Sequence, residues 1–357
     1  MKISTIYQLL EYQAGHPTFS AAVLAPNRVP LTFERLLAQV REGVACLNNF
    51  GIHRNDKVAM VLPNGPEMAV AFLSIACGAS AAPLNPAYSA AEFEFYLSDL
   101  DARALIVQAG LASPAINVAR GRGIPIIEIV PRVQDPAGLF EFQGVYLAPG
   151  SSANIAEAED VGLVLHTSGT TSRPKMVPLT HQNLCASAQH IGDALALTPS
   201  DCCLNIMPLF HIHGLVGAVL SSLAAGASVV APPGFDAPRF IDWMTAFQPT
   251  WYTAVPTMHR AILARVAQGG HPIHHGRLRF IRSRSSTLPP TLMAELESSL
   301  GVPVVEAYGM TEAAHQMACN PLPPAIRKSG SVGVATGTEN SDYGSRRHEA
   351  SDGRRGG

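Results

Sequence analysis

Short apolar segments alternate with helical patterns along most of this 357-residue chain. A helix is predicted after Thr32, a natural N-cap, because Leu36, Val40 and Val44 recur at helical spacing. Apolar segments of strand length lie at residues 56–62, 104–107, 251–255 and 304–308. Strands that alternate with helices require crossover connections, which form parallel sheets. The sequence therefore predicts an α/β protein with two lobes, at about residues 1–150 and 160–335.

One predicted strand, at residues 163–165, ends in a segment with the chemistry of a phosphate-binding loop. This segment reads Thr167-Ser168-Gly169-Thr170-Thr171-Ser172-Arg173-Pro174-Lys175. Hydroxyls and free backbone N–H groups bind phosphate oxygens, and a lysine adds a mobile positive charge. A polar turn is the simpler interpretation, but the density of hydroxyls and the Pro-Lys exit favour phosphate binding. The common nucleoside-triphosphate loop is excluded, because Lys175 follows Pro174 and not a glycine.

A second predicted strand ends in a carboxylate. The segment reads Glu306-Ala307-Tyr308-Gly309-Met310-Thr311-Glu312. Taken alone, it indicates a strand end that is capped by Thr311. Together with the hydroxyl-rich loop before Lys175, it predicts a nucleotide site, because the Glu312 carboxylate is suited to hold Mg²⁺ and so to neutralise phosphate oxygens.

Two histidines, His211 and His213, lie one residue apart after another strand-like segment. Two histidines at this spacing raise the possibility of a metal site. No nearby cysteine or carboxylate completes a ligand set, so a structural histidine pair is the preferred interpretation.

The two strand-end motifs resemble those of the adenylate-forming superfamily, which includes acyl-CoA synthetases, luciferases and peptide-synthetase adenylation domains. The segments at residues 208–214, 251–257, 278–283 and 312–317 resemble its oxalate–CoA ligase branch. The resemblance runs from near the N-terminus to about residue 339. Two positions depart from the family pattern: Met176 stands where a glycine is usual, and Arg284 stands where a small residue is usual.

The resemblance implies a fold of two stacked α/β lobes, that of the family's N-terminal domain. Residues 1–339 are expected to form that domain with an incomplete β-barrel subdomain, and the C-terminal domain with its catalytic lysine is absent from the sequence. Residues 340–357 lack aliphatic periodicity and are expected to be a disordered tail outside the family pattern. On this expectation, the truncation impairs activity.

By resemblance, the chain is an ATP-dependent acid–CoA ligase that acts through an acyl-adenylate, with a small dicarboxylate such as oxalate as the acid. The implied catalytic residues are Lys175, Thr311 and Glu312, with Mg²⁺ at Glu312. The implied ATP-binding residues are Thr167, Ser168, Gly169, Thr170, Thr171, Lys175, Glu306, Ala307, Tyr308, Gly309 and Thr311. The implied substrate-binding residues are His211, His213, Ser283, Ser285 and His315. The implied small-molecule partners are a carboxylic acid, ATP and coenzyme A.

Composition excludes several other classes of protein. A net charge of -2 provides no basic surface for nucleic acid, and the apolar stretch at residues 69–84 is too short for a membrane span. Six scattered cysteines without a Cys-x-x-Cys spacing indicate reduced thiols and a cytoplasmic location, with a peroxisomal one considered for a full-length form. Nothing in the sequence indicates an oligomeric state.

Three alternatives remain at this point. In the first, the chain is a non-catalytic nucleotide-binding remnant, and in the second it is a binding partner of the full-length enzyme. In the third, the chain is a ligase whose substrate is a medium- or long-chain fatty acid. A phosphotransferase is disfavoured by the lysine spacing.

Overall fold

Two mainly parallel β-sheets and the helices around them make up this computed structural model, which describes residues 3–16, 20–144, 154–167, 173–269 and 276–337. The first sheet has, in spatial order, β7 (Phe140–Gln143), β6 (Ile126–Pro131), β5 (Ala104–Gln108), β3 (Lys57–Val61), β4 (Ser80–Pro83), β8 (Val161–Thr167) and β9 (Lys175–Thr180). The edge strands β7 and β9 are antiparallel to their neighbours, and the strands between them are parallel.

The second sheet has nine strands in the described part of the chain. In spatial order they are β16 (Val334–Ala335), β15 (Ala318–Cys319), β14 (Val304–Tyr308), β13 (Phe280–Ser283), β12 (Trp251–Ala254), β10 (Cys202–Asn205), β11 (Ser228–Val230), β1 (Ala21–Leu24) and β2 (Leu31–Thr32). The strands from β14 to β1 are parallel to one another. The mixed α/β fold with two sheets therefore agrees with the fold class expected from the sequence.

The helices connect the strands on both faces of the sheets. They are α1 (Ile6–Ala14), α2 (Phe33–Asn49), α3 (Pro66–Ala76), α4 (Ala90–Leu100), α5 (Pro114–Gly121), α6 (His181–Ala194), α7 (Ile212–Gly214), α8 (Ser221–Ala224), α9 (Ala237–Phe247), α10 (Pro256–Gly269) and α11 (Pro290–Leu300). A π-helical turn, Leu215–Leu220, joins α7 to α8, and a 3-10 turn covers Thr311–Ala313. The helical segment over residues 212–224 thus contains a π turn in its middle.

Side-chain caps explain where several helices begin. Thr32 accepts a hydrogen bond from the Arg35 backbone N–H, as its position before the predicted helix suggested. Thr180 and Asn183 form a reciprocal capping box at the start of α6. These caps satisfy backbone donors that have no partner within the helix.

The largest hydrophobic core lies between the two sheets. It contains Leu163 of the first sheet, Val229 and Phe280 of the second, and Phe72 and Val219 from the helices between them. Two outer clusters pack α4 and α5 on the first sheet and α9 and α11 on the second. The arrangement therefore has five layers, in the order helices, sheet, helices, sheet, helices. The inner faces of both sheets are buried.

The two sheets do not follow the predicted lobe boundary. Strands β1 and β2 belong to the second sheet although they lie within residues 1–150, and β8 and β9 belong to the first sheet although they follow residue 160. The reason is pairing over long sequence distances: β1 pairs with β11, and β8 pairs with β4. Local pattern cannot reveal such pairing. The predicted tail at 340–357 lies outside the described residues.

No helix among the residues that the structure describes is long and apolar enough to cross a bilayer.

Candidate active site

A pocket of about 400 Å³ lies where the carboxyl ends of strands from both sheets converge. Parallel α/β sheets bind ligands at this edge, because side chains and backbone groups from several strands project there together. The residues lining the pocket come from the carboxyl ends of β4 and β8 and from the segments that follow β4, β10, β12, β13 and β14. They are Pro83, Leu84, Asn85, Tyr88, Tyr96, Leu165, His166, Met207, Phe210, His211, Ile212, His213, Val255, Arg284, Ser285, Gly309, Met310 and Thr311.

The two sequence motifs meet beside this pocket. The Thr167 hydroxyl, at the end of β8, donates a hydrogen bond to Oε1 of Glu312 over 3.1 Å. Lys175, the first residue of β9, lies opposite Thr167 in the β8–β9 ladder and is exposed. The structure thus joins segments that are 145 positions apart in the chain. Ser168, Gly169, Thr170 and Thr171 of the predicted phosphate loop lie outside the described residues.

Glu312 and its surroundings fit the requirements of Mg²⁺. The carboxylate is exposed, and its hydrogen bond to Thr167 holds one oxygen at the rim where the predicted phosphate-binding segment begins. Mg²⁺ usually takes one or two carboxylates together with substrate phosphates and water, so a single glutamate at a phosphate site is a sufficient protein ligand set.

The β14 end presents an aromatic ring next to a position that only glycine can occupy. Tyr308 is 51% exposed, which leaves its ring free to stack on a flat ligand. A Cβ on Gly309 would lie 1.7 Å from the backbone oxygen of His315. The chain after β14 therefore turns back against itself, and this turn brings Thr311 to the pocket wall.

His213 is held in one orientation by two hydroxyl groups. Its Nε2 lies 2.6 Å from the Thr253 hydroxyl and its Nδ1 lies 3.1 Å from the Ser285 hydroxyl. Burial, together with the positive charges of Arg282 and Arg284, holds the pKa of His213 well below its usual value, so the ring is neutral at physiological pH. Ser285 has a φ of 72°, an uncommon backbone conformation for a residue other than glycine.

His315 lies behind His213 and does not line the pocket. The two rings have centroids 5.4 Å apart, and His315 is fully buried. Its Nε2 lies 3.1 Å from Nη2 of Arg282, and an arginine can only donate, so Nδ1 carries the proton of His315. A Cβ on Gly217 would lie 2.2 Å from this Nε2, which explains why the π-helical turn has a glycine at its closest approach to His315.

Like His315, the side chains of Ser283 and Glu306 do not line the pocket. Ser283 pairs with Glu306 across β13 and β14, so both project on the same face of the sheet. Ile281 and Val304 lie two residues earlier in the same strands and therefore on the same face. Both belong to the outer core cluster of the second sheet. Oε1 of Glu306 accepts a hydrogen bond from the Leu288 backbone N–H.

Ala307 is also buried, in the core between the sheets. Direct contact between the substrate and the Ser283 side chain therefore has no support in the geometry, because strand alternation turns that side chain to the outer face. The role of Ala307 is limited to its backbone.

Arg284 is the main pocket residue that sequence reasoning left out of the site. Its position was noted only as a departure from the family pattern, although it directly precedes Ser285. The side chain lines the pocket and Nη2 donates to the backbone oxygen of His315. An unusual long cation between small polar residues was the signal available in the sequence.

A carboxylate outside the pocket joins both flanks of the predicted phosphate-binding segment. Asp99 of α4 contacts Nε2 of His166 over 3.1 Å and Nη2 of Arg173 over 3.0 Å. Tyr88 and Tyr96, stacked at 4.8 Å between centroids, form a further wall of the pocket. No sequence pattern pointed to these residues, because their proximity to the site depends on how α4 packs against β8.

The unusual Met176 is accommodated without intrusion into the pocket. Its side chain is partly buried and packs against the outer core cluster of the first sheet, which includes Phe93 and Val164. The side chain therefore adds apolar contact to the base of the β8–β9 hairpin.

The comparisons with known proteins agree with this geometry. The family described as AMP-binding enzyme matches residues 10–340. The chain is 43% identical over 345 residues to the probable CoA ligase CCL9 of Humulus lupulus and 41% identical over 348 residues to an oxalate–CoA ligase of Arabidopsis thaliana. These matches cover 94% and 95% of this chain but 65% and 67% of the relatives, so the chain spans about two thirds of their length.

A solved structure extends the similarity to the fold. ATP-bound MatB from Rhodopseudomonas palustris superposes with a TM-score of 0.78 at 25% identity, covering 92% of this chain and 64% of that one. The segment that the family model matches, residues 10–340, includes both strand-end motifs and nearly every described residue. The chain therefore belongs to the AMP-binding enzyme family, whose members among its relatives include CoA ligases.

Proposed function

We propose that this chain provides the acid-activating site of an ATP-dependent acid–CoA ligase, with a small dicarboxylate such as oxalate as substrate. The observation that carries the proposal is the meeting of Thr167 and Lys175 with Glu312 at the rim of a pocket lined by His211 and His213. A predicted phosphate-binding segment, a carboxylate and a pocket with polar groups for the acid are three parts that acyl adenylation uses.

The proposed reaction has two steps. A carboxylate oxygen of the acid attacks the α-phosphorus of ATP, and pyrophosphate leaves with the electron pair of the broken P–O bond. The sulfur of CoA then attacks the acyl carbon, and AMP leaves with the electrons of the acyl–oxygen bond, so that a thioester forms. Lys175 is suited to stabilise charge on the phosphates, and Thr311 to orient the α-phosphate. Mg²⁺ held by Glu312 would neutralise phosphate oxygens.

The pocket lining is mixed, and its polar side chains favour a small diacid over a fatty acid. A fatty-acid pocket is expected to be apolar, with few polar groups beyond the reacting end. Here His211, His213, Arg284 and Ser285 contribute polar atoms to the wall. The relative named oxalate–CoA ligase is consistent with this choice.

The second candidate is a nucleotide-binding chain without catalytic turnover. It is favoured by one observation: the contact of Thr167 with Glu312 and the exposed ring of Tyr308 are features of a nucleotide site and by themselves require no turnover. ATP binding without pyrophosphate release would support this candidate over the ligase.

The test is pyrophosphate release with ATP, Mg²⁺ and a panel of acids: oxalate, malonate, acetate, decanoate and palmitate. We expect release with oxalate, and a fall of about 10²–10³ in rate for Lys175→Ala, the typical cost of losing one charge-stabilising group. Glu312→Gln should weaken the dependence on Mg²⁺, whereas Glu295→Gln, an exposed glutamate of α11, is the matched control. A preference for palmitate would contradict the diacid assignment.

A further inference from the structure

Two arginines of the β13 segment are buried without a carboxylate partner. Arg282 is fully buried and Arg284 is 4% exposed. Across the described ranges, the ion pairs include neither guanidinium. Nε and Nη1 of Arg282 and Nε of Arg284 are buried donors without a hydrogen-bond partner. Burying a cation without a counter-ion is costly, so this arrangement calls for an anion that the described residues do not supply.

The two side chains reach the same segment of the chain, residues 315–316. Arg284 reaches the pocket wall, and Arg282 lies deeper, where Nη2 contacts His315 Nε2 and donates to Gln316 Oε1 over 2.7 Å. Nη2 of Arg284 donates to the backbone oxygen of His315. Both guanidiniums are therefore anchored on one segment, which fixes Arg284 at the pocket.

The groups around the two arginines add no negative charge. His213 and His315 are kept neutral, since burial and the two arginines hold the pKa of each ring well below its usual value. Burial lowers the pKa of Arg282 to about 10 and, with the charge of Arg282 beside it, lowers the pKa of Arg284 to about 9. Both arginines are positive at neutral pH, and Glu306 lies on the opposite face of the sheet.

We propose that Arg284, with Arg282 behind it, is the receptor for the second carboxylate of a dianionic acid, and that it selects dicarboxylates over monocarboxylates. This inference rests on the proposed function, in which the first carboxylate reacts near Thr311 at the rim. The Ser285 hydroxyl, held by His213, lies next to Arg284 and supplies a neutral hydrogen-bonding group to the same carboxylate. A carboxylate at Arg284 would replace the missing counter-ion, and a neutral substituent would not.

The test compares oxalate with oxamate, which has nearly the same shape but an amide in place of one carboxylate. Binding of each is measured by calorimetry, with α,β-methylene-ATP present to prevent turnover. We expect the unmodified chain to bind oxalate about 10- to 100-fold more tightly than oxamate, the range typical of hydrogen bonds to a charged group. Arg284→Gln should abolish this ratio and Arg284→Lys should retain part of it. Arg239→Gln, which changes an exposed arginine of α9, should leave the ratio unchanged.

Thermal melts of each variant establish that it is folded, and Arg284→Lys provides a folded comparison if Arg284→Gln does not fold. Equal binding of oxalate and oxamate by the unmodified chain would overturn the assignment, as would an unchanged ratio in Arg284→Gln. Either result leaves acid activation open, because pyrophosphate release with oxalate is scored separately. Failure to bind either acid would overturn both proposals.

Discussion

Replacing Gly309 by alanine tests the turn on which the site depends. An alanine Cβ would lie 1.7 Å from the backbone oxygen of His315 and 2.8 Å from Nη2 of Arg284, whereas real Cβ atoms essentially never approach below 3.0 Å. The nearest atom belongs to the backbone, so no side-chain rotation relieves the overlap, and the two segments must separate by about 1 Å or more. We expect a loss of about 3 kcal/mol, at the upper end of the range for overpacking.

Urea unfolding and thermal melts measure this loss. A destabilisation of that size corresponds to a fall in melting temperature of about 4 °C for a chain of this size. Gly192→Ala is the matched control, because a Cβ there meets nothing within 4 Å. It lies in α6, where alanine in place of glycine should stabilise by about 0.5–1 kcal/mol. If Gly309→Ala unfolds at the same urea concentration as the unmodified chain, the close contact with His315 does not exist in solution.

Three further predictions concern buried charge and capping. Although burial raises the pKa of Asp201, hydrogen bonds from Thr250 and Arg279 outweigh it and hold the pKa below its usual value. The stability from Asp201 is therefore complete above about pH 4 and lost as the pH falls through the lower, folded-state pKa. Asp201→Asn should remove about 1–2 kcal/mol at pH 7, since Arg279 is partly exposed, and should flatten the acid limb of urea-midpoint profiles. Thr180→Ala should cost about 1 kcal/mol in urea titrations by removing the α6 cap. Because burial lowers the pKa of Arg284 to about 9, the preference for oxalate over oxamate in calorimetry should persist below that pH and decline above it, as the guanidinium loses its proton.

Local sequence was sufficient for the secondary structure that surrounds the site. The predicted N-cap at Thr32 is confirmed, and the apolar segments before Thr167 and Glu306 are strands that end close to where their pattern ends. These features depend on backbone groups and side chains a few residues apart, which is why a single sequence reveals them. The family assignment had the same origin, since its motifs are short, contiguous segments at strand ends.

The functional chemistry of two strand ends could thus be recognised from residue types and order alone: hydroxyls and a lysine at one, an aromatic ring and a carboxylate at the other. Their meeting at Thr167 and Glu312 depends on strand pairing and on how the two sheets pack, and these contacts join residues far apart in the chain. The same is true of Arg284, whose role depends on burial without a counter-ion. Burial and charge environment are properties of packing, because they depend on every neighbouring element, whereas a side chain's chemistry is the same wherever the chain places it.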